Sequence, residues 1–247
     1  MNMNLKHTAN LLKKSLRQDQ RIGTQLKLIS VHIPKTAGTS FRNTLCAVYG
    51  QTAVARLDIH LEDEQIRLNE QDFEALDLPR RVRVVHGHFS PKLLEKYFQI
   101  DPTTPVITWL RNPVERVVSN YYYLQSRLQE ELREEEKGLN ILSKMQRTLL
   151  EYAAAEVNQN RMSKFLAGRS LREFAFVGIQ EFYETDLATM GHQMSWEQPP
   201  AFHHNATEKK EELSAAEYQA IAAWNAADMA LYQEGLSLRQ QRLAIDD

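Results

Sequence analysis

Four short runs along the chain are rich in apolar residues and bounded by turn-forming residues: 26–33, 82–89, 105–110 and 174–179. Runs of this length with such boundaries predict buried β-strands. Between them the apolar positions fall at helical spacing. A helix is predicted from Phe41 onward, and another from Pro113 through Tyr123. Helical patterning returns over 141–155 and over 215–232, where Tyr218, Ile221, Trp224 and Leu231 form a stripe that reads as core. Leu5, Leu11, Leu12 and Leu16 suggest a short amphipathic helix ahead of the first strand. The segment 127–137 carries five glutamates and reads as a solvated helix face. Strands alternating with helices predict an α/β fold, a parallel sheet flanked by helices. With no internal repeat, the expected organisation is an N-terminal extension over 1–24 and a single domain over 25–247.

Composition narrows the class. The chain has 247 residues, 43% of them hydrophobic and 25% charged, which suits a globular domain with a sizeable core. The formal net charge of −2 gives no reason to expect nucleic acid as a partner, so any anion site has to come from local placement of charge. Cys46 is the only cysteine, which excludes an intramolecular disulfide. The first 23 residues lack the roughly 7–15-residue apolar stretch of a secretory signal. No run approaches the ~18 apolar residues of a membrane span. The expectation is a cytoplasmic protein.

Three motifs stand at the predicted strand ends, where open α/β sheets bind ligands. The first is Pro34-Lys35-Thr36-Ala37-Gly38-Thr39-Ser40, a loop between a strand and a helix N-terminus. Such a junction presents unpaired N–H groups and the positive end of the helix dipole, a natural phosphate site. Gly38 would let the backbone approach an anion, Thr39 and Ser40 add hydroxyl donors, and Lys35 adds a charge. The lysine precedes the glycine, unlike the kinase P-loop. The second is Arg111-Asn112-Pro113-Val114-Glu115-Arg116-Val117-Val118-Ser119. Its arginines and serine suit a second phosphate, or else an arginine paired with Glu115. The third is His86-Gly87-His88, in which strand alternation puts both imidazoles on one face, with Gly87 leaving room between them. A general base, a metal pair and two structural histidines all fit that pattern.

Taken together these motifs resemble the PAPS-dependent sulfotransferase family (PAPS is 3′-phosphoadenosine 5′-phosphosulfate), and within it the branch of heparan sulfate 2-O-sulfotransferase. The resemblance spans about 26–232 and adds two motifs. Phe176-Val177-Gly178-Ile179-Gln180-Glu181 is similar to the family's F-V-G-x-x-E strand, and Thr207-Glu208-Lys209-Lys210 to its late nucleotide-closing loop. It implies that Lys35, Thr36, Ala37, Gly38, Thr39 and Ser40 hold the 5′-phosphosulfate. It also implies that Arg111 and Ser119 hold the 3′-phosphate, with Thr207, Lys209 and Lys210 over the nucleotide. By the same likeness Lys35 stabilises the leaving oxygen, His88 is the base, and His86 orients it or touches the acceptor. No metal is required. The implied partner is a hydroxyl-bearing acceptor, with a glycan among the candidates. Tyr121, Tyr122 and Tyr123 are readable as sugar-stacking or as core, and Asn158 and Asn160 as cleft-lining. A nucleotide kinase, which would need Mg²⁺ and a carboxylate to hold it, and a non-catalytic nucleotide-binding module are the competing readings.

Overall fold

A computed structural model of the chain describes residues 26–75, 77–133, 147–202 and 212–246. In chain order its main elements are β1 (Leu28–Val31), α1 (Gly38–Tyr49), β2 (Val54–Ile59), β3 (Ile66–Leu68), β4 (Gln71–Asp72) and β5 (Val84–Gly87). After these come α2 (Pro91–Tyr97), β6 (Val106–Leu110), α3 (Pro113–Arg133), α4 (Leu149–Ala154), α5 (Arg161–Phe165), β7 (Phe176–Ile179), α6 (Tyr183–Gln193), α7 (Ala215–Trp224) and α8 (Ala226–Asp246).

The strands form one seven-stranded sheet in the order β4-β3-β2-β5-β1-β6-β7. The four strands expected from the sequence are β1, β5, β6 and β7, and they pair in parallel. Their residues are buried throughout, as fits strands covered by helices on both faces. The α/β class therefore holds. The sheet is nonetheless mixed: β2 joins β5 in parallel, whereas β3 and β4 add an antiparallel edge that the sequence reading did not anticipate. In β2 the apolar Leu57 and Ile59 alternate with Arg56 and Asp58, so beyond Val54 only one face feeds the core. Its two charged residues break the apolar run that marks the other strands.

Two apolar clusters sandwich the sheet. One gathers Ile29, Val85, Phe89, Leu110 and Ile179 on one face, and the other gathers Leu28, Phe41, Ile107, Trp109 and Phe176 on the opposite face. At roughly 25 cal/mol per Å² of apolar surface removed from water, these side chains dominate the stability of the fold.

The predicted last helix is divided. Asn225 ends α7, and its side chain accepts the Asn160 N–H at 2.9 Å, which redirects the chain into α8. Of the predicted core stripe Ile221 is fully buried, whereas Tyr218 is exposed and its hydroxyl accepts from Asn112 Nδ2 at 3.2 Å. The predicted helix over 141–155 begins, among the described residues, only at Leu149, capped by Thr148 and Glu151. The N-terminal leucines and most of the 127–137 glutamate run lie outside what can be described.

Candidate active site

The carboxyl ends of β1, β5 and β6 open into a cleft of about 1190 Å³. Lys35, Ser40, His88, Arg111, Ser119 and Tyr123 all line it, so all three motifs meet at one place.

On the β1 side the chain turns into α1 through a loop in which Lys35 and Ala37 both take positive φ, 72° and 65°. Left-handed geometry at non-glycine residues costs about 1–3 kcal/mol and concentrates at functional turns. Alternating left- and right-handed residues also point successive N–H groups into a common concavity, an anion nest. Ala37 is the N-cap residue of α1 and supplies no side-chain cap. The positive end of the α1 dipole thus opens at this loop, which fits a phosphate. Thr39 and Ser40 line the cleft. Thr36 does not: it is buried, and its hydroxyl donates to the Ile33 carbonyl at 2.9 Å, so it shapes the loop from inside. Lys35 Nζ sits 4.1 Å above the Tyr123 ring.

Gly38 lines the cleft and also meets a demand that the sequence did not reveal. A Cβ there would lie 1.8 Å from His32 Nε2, so the missing side chain makes room for an imidazole. His32 was not singled out in the sequence. Its ring stacks between those of His86 and His88, at centroid distances of 5.0 and 4.5 Å. Burial, then the neighbouring His88 and His86, push its pKa well below the usual imidazole value, which keeps it neutral. The only sequence signal was its place beside the Pro34–Ser40 motif.

On the β6 side Arg111 lies at the strand end, and its Nη1 donates to the Lys35 carbonyl at 3.1 Å, which fastens the second motif to the first. Its Nη2 is 3.7 Å from Glu115, so the competing ion-pair reading is realised as well. Asn112 caps α3 by accepting the Val114 and Glu115 N–H groups, with Pro113 in the first turn. Glu181, from the F-V-G-x-x-E segment, accepts the Asn112 N–H at 2.8 Å and holds this corner to the end of β7. Ser119 is buried and reaches the cleft lining. Arg116 turns away and holds the Asn158 carbonyl at 3.1 Å. Asn158 and Asn160 are structural, bonded to the Tyr152 carbonyl and to the α8 N–H groups respectively. Of the three tyrosines only Tyr123 lines the cleft, while Tyr121 and Tyr122 pack against the cluster around Val117.

On the β5 side His86 is buried between Ser30 Oγ, 2.9 Å from its Nδ1, and the Gly38 backbone. Burial, with the charges of His88 and Arg42, lowers its pKa to about 3, so it stays neutral. The contact that orients His88 comes instead from Asp58 on β2. Asp58 Oδ1 accepts the His88 backbone N–H at 2.9 Å and lies 3.1 Å from His88 Nδ1. Burial raises the Asp58 pKa, but hydrogen bonds from the His88 ring and backbone, with the charges of His88 and Arg56, outweigh it and hold the carboxyl at about 2. Gly87 makes way for the neighbouring strand and not for the histidines: a Cβ there would lie 1.8 Å from the Leu57 carbonyl oxygen. Among the described residues no group of three or more His, Cys, Asp or Glu side chains is placed to hold a metal ion. No described helix is long and apolar enough to cross a membrane. Thr207, Lys209 and Lys210 lie outside the described residues. Pro200, just before them, accepts the Thr44 hydroxyl at 2.8 Å, and Phe202 lines the cleft.

The strand–helix loop at 34–40, the arginine-and-serine corner at 111–119 and the strand-end histidine thus share one cleft. Residues 19–244 match the model of the sulfotransferase family, and the chain belongs to that family. No curated protein matches it. Among solved structures, the mouse sulfotransferase SULT7A1 complexed with PAP is similar over 85% of this chain and 67% of that one, with a TM-score of 0.42 and 10% identity. Family membership sets the kinase and non-catalytic readings aside.

Proposed function

We propose that this enzyme transfers the sulfuryl group of PAPS to a hydroxyl of an acceptor, with a carbohydrate as the acceptor class, and that His88 is the general base. The observation that carries the reading is the meeting of the strand–helix loop at 34–40, Arg111, Ser119 and His88 in one cleft. PAPS would supply an activated sulfuryl group with a phosphate leaving group. The α1 N–H groups with Thr39 and Ser40 hold the 5′-phosphate, and Arg111 with Ser119 holds the 3′-phosphate. Lys35 would neutralise the charge growing on the bridging oxygen of a bound donor, so its effect would be greatest in the transition state. As the acceptor oxygen bonds to sulfur, its O–H bond breaks and His88 takes the proton. Tyr123, exposed at the mouth, gives a sugar ring a face to pack on.

The test is incubation with ³⁵S-labelled PAPS and fractionated extracts without added Mg²⁺. Label appearing in a glycan fraction supports the proposal; label that stays in the donor or leaves only as inorganic sulfate overturns it.

A further inference from the structure

Resting on the reading of His88 as base, we infer that Asp58 is its positioning residue: it holds the imidazole in the Nδ1–H tautomer and leaves Nε2 as the nitrogen that takes the acceptor's proton. Both carboxylate oxygens of Asp58 are used. Oδ1 receives the His88 backbone N–H at 2.9 Å and faces His88 Nδ1 at 3.1 Å, while Oδ2 receives Arg56 Nε at 2.8 Å. Arg56 is itself tied to Glu70 on the adjoining turn, through Nη1 at 2.6 Å.

A carboxylate in hydrogen-bond contact with a neutral imidazole nitrogen accepts and cannot donate, so that nitrogen must carry the hydrogen. The other nitrogen then keeps its lone pair. The ring is constrained on further sides as well, by His32 stacked on its face and by Phe165 edge-on at 6.3 Å. When His88 becomes imidazolium during transfer, the negative charge of Asp58 stabilises it, and Asp58 takes no proton. A charged hydrogen bond of this kind is worth enough to change a rate by about tenfold or more. The charged and titratable groups of the surrounding histidine cluster are Asp58 and Arg56 from β2, His32 and Lys35 from the segment after β1, Arg42 from α1, and His86 from the same strand. Among these neighbours Asp58 is the carboxylate in contact with the His88 ring.

The first test needs no variant and no acceptor. Nitrogen-15 NMR of histidine-labelled wild-type protein above the imidazole pKa should show His88 protonated at Nδ1; a neutral His88 protonated at Nε2 overturns the inference whether or not His88 is the base. The second test is kinetic. Asp58→Asn should lower kcat by about 10- to 100-fold with KM for PAPS within about twofold of wild type. The acid limb of its rate profile should move to lower pH, because the imidazolium has lost its counter-charge. In a His88→Ala background the same substitution should have no further effect on kcat. Unchanged kcat and acid limb in Asp58→Asn, or an equal loss with and without His88, overturns the positioning role. A fully active His88→Ala enzyme would instead remove the base assignment while leaving the NMR result standing.

Discussion

The two flanks of β1 are built in different ways. On the β6 flank, together with the loop that leaves β1 itself, the groups assigned to the donor come from continuous stretches, 34–40 and 111–119, whose Lys35, Ser40, Arg111 and Ser119 line the cleft. Asn112 caps α3, Pro113 opens it, and Arg111 immediately before them reaches back to the Lys35 carbonyl. On the β5 flank the working unit is spread over 56–88. Asp58 meets His88 only because β2 lies parallel to β5 in a register that pairs Arg56 with His86. Local chemistry builds the first flank and sheet register builds the second. Substitutions should therefore separate them, with donor affinity residing on one side and proton transfer on the other.

The largest effect is expected at His88. Replacement by alanine should lower turnover by about 10²–10⁴-fold, as loss of a general base does, with thermal stability near wild type. Steady-state kinetics beside a melting curve checks this, and turnover at the wild-type rate would move the base to another group.

Lys35→Ala should lower kcat by about 10²–10³-fold, and by much more than it weakens donor binding, because the charge it meets grows in the transition state. Rates at saturating PAPS, set against donor affinity, separate the two effects.

Gly38→Ala joins the flanks, since its new Cβ would overlap the His32 ring that stacks on both His86 and His88. Overpacking of this kind costs about 1–3 kcal/mol, read as a lower Tm. Adding His32→Ala should return much of that loss. Without such recovery the tight fit of Gly38 against His32 is not what the glycine serves.

The most gradual effect is the pH dependence of stability. The folded protein keeps His86 unprotonated down to about pH 3, whereas the ordinary imidazole value is 6.5. Between those values the unfolded chain binds a proton that the native state refuses, so stability falls as pH drops below 6.5, by at most about 1.4 kcal/mol per pH unit for this group. Asp58, held at about 2 against an ordinary 3.8, adds stability above pH ~4 that is lost as pH falls from there through 2. Denaturant titrations between pH 7 and pH 4 should show the histidine slope, and a flat profile would mean that His86 is protonated in the fold.

The contrast also accounts for what could be read from the sequence. Strands β1, β5, β6 and β7 announced themselves because both their faces are covered, and the loop at 34–40 because its chemistry is contiguous. Strand β2 did not, because Arg56 and Asp58 interrupt it on the face that serves the cleft. The same two residues that hid the strand complete the histidine site. The alternation of Leu57 and Ile59 with Arg56 and Asp58 was a usable strand signal, yet nothing local pairs Asp58 with a residue thirty positions on. Gly38 and Gly87 were read as room for an anion and for two histidines. Their true neighbours, His32 and the Leu57 carbonyl, are fixed by packing across the sheet. Thr36 carries the right hydroxyl and points it inward, a choice made by the Ile33 carbonyl beside it.

The most direct test of the divided cleft is a calorimetric titration of 3′,5′-bisphosphate adenosine into the wild-type protein and the Arg111→Ala and His88→Ala variants, with adenosine 5′-monophosphate as the reference ligand. The division predicts that the wild type prefers the bisphosphate and that Arg111→Ala weakens its binding at least about tenfold, which is the loss of a charged hydrogen bond to the 3′-phosphate. His88→Ala should bind it within about twofold of wild type. Equal affinity of the wild type for both nucleotides, or a loss in His88→Ala as large as that in Arg111→Ala, would contradict it.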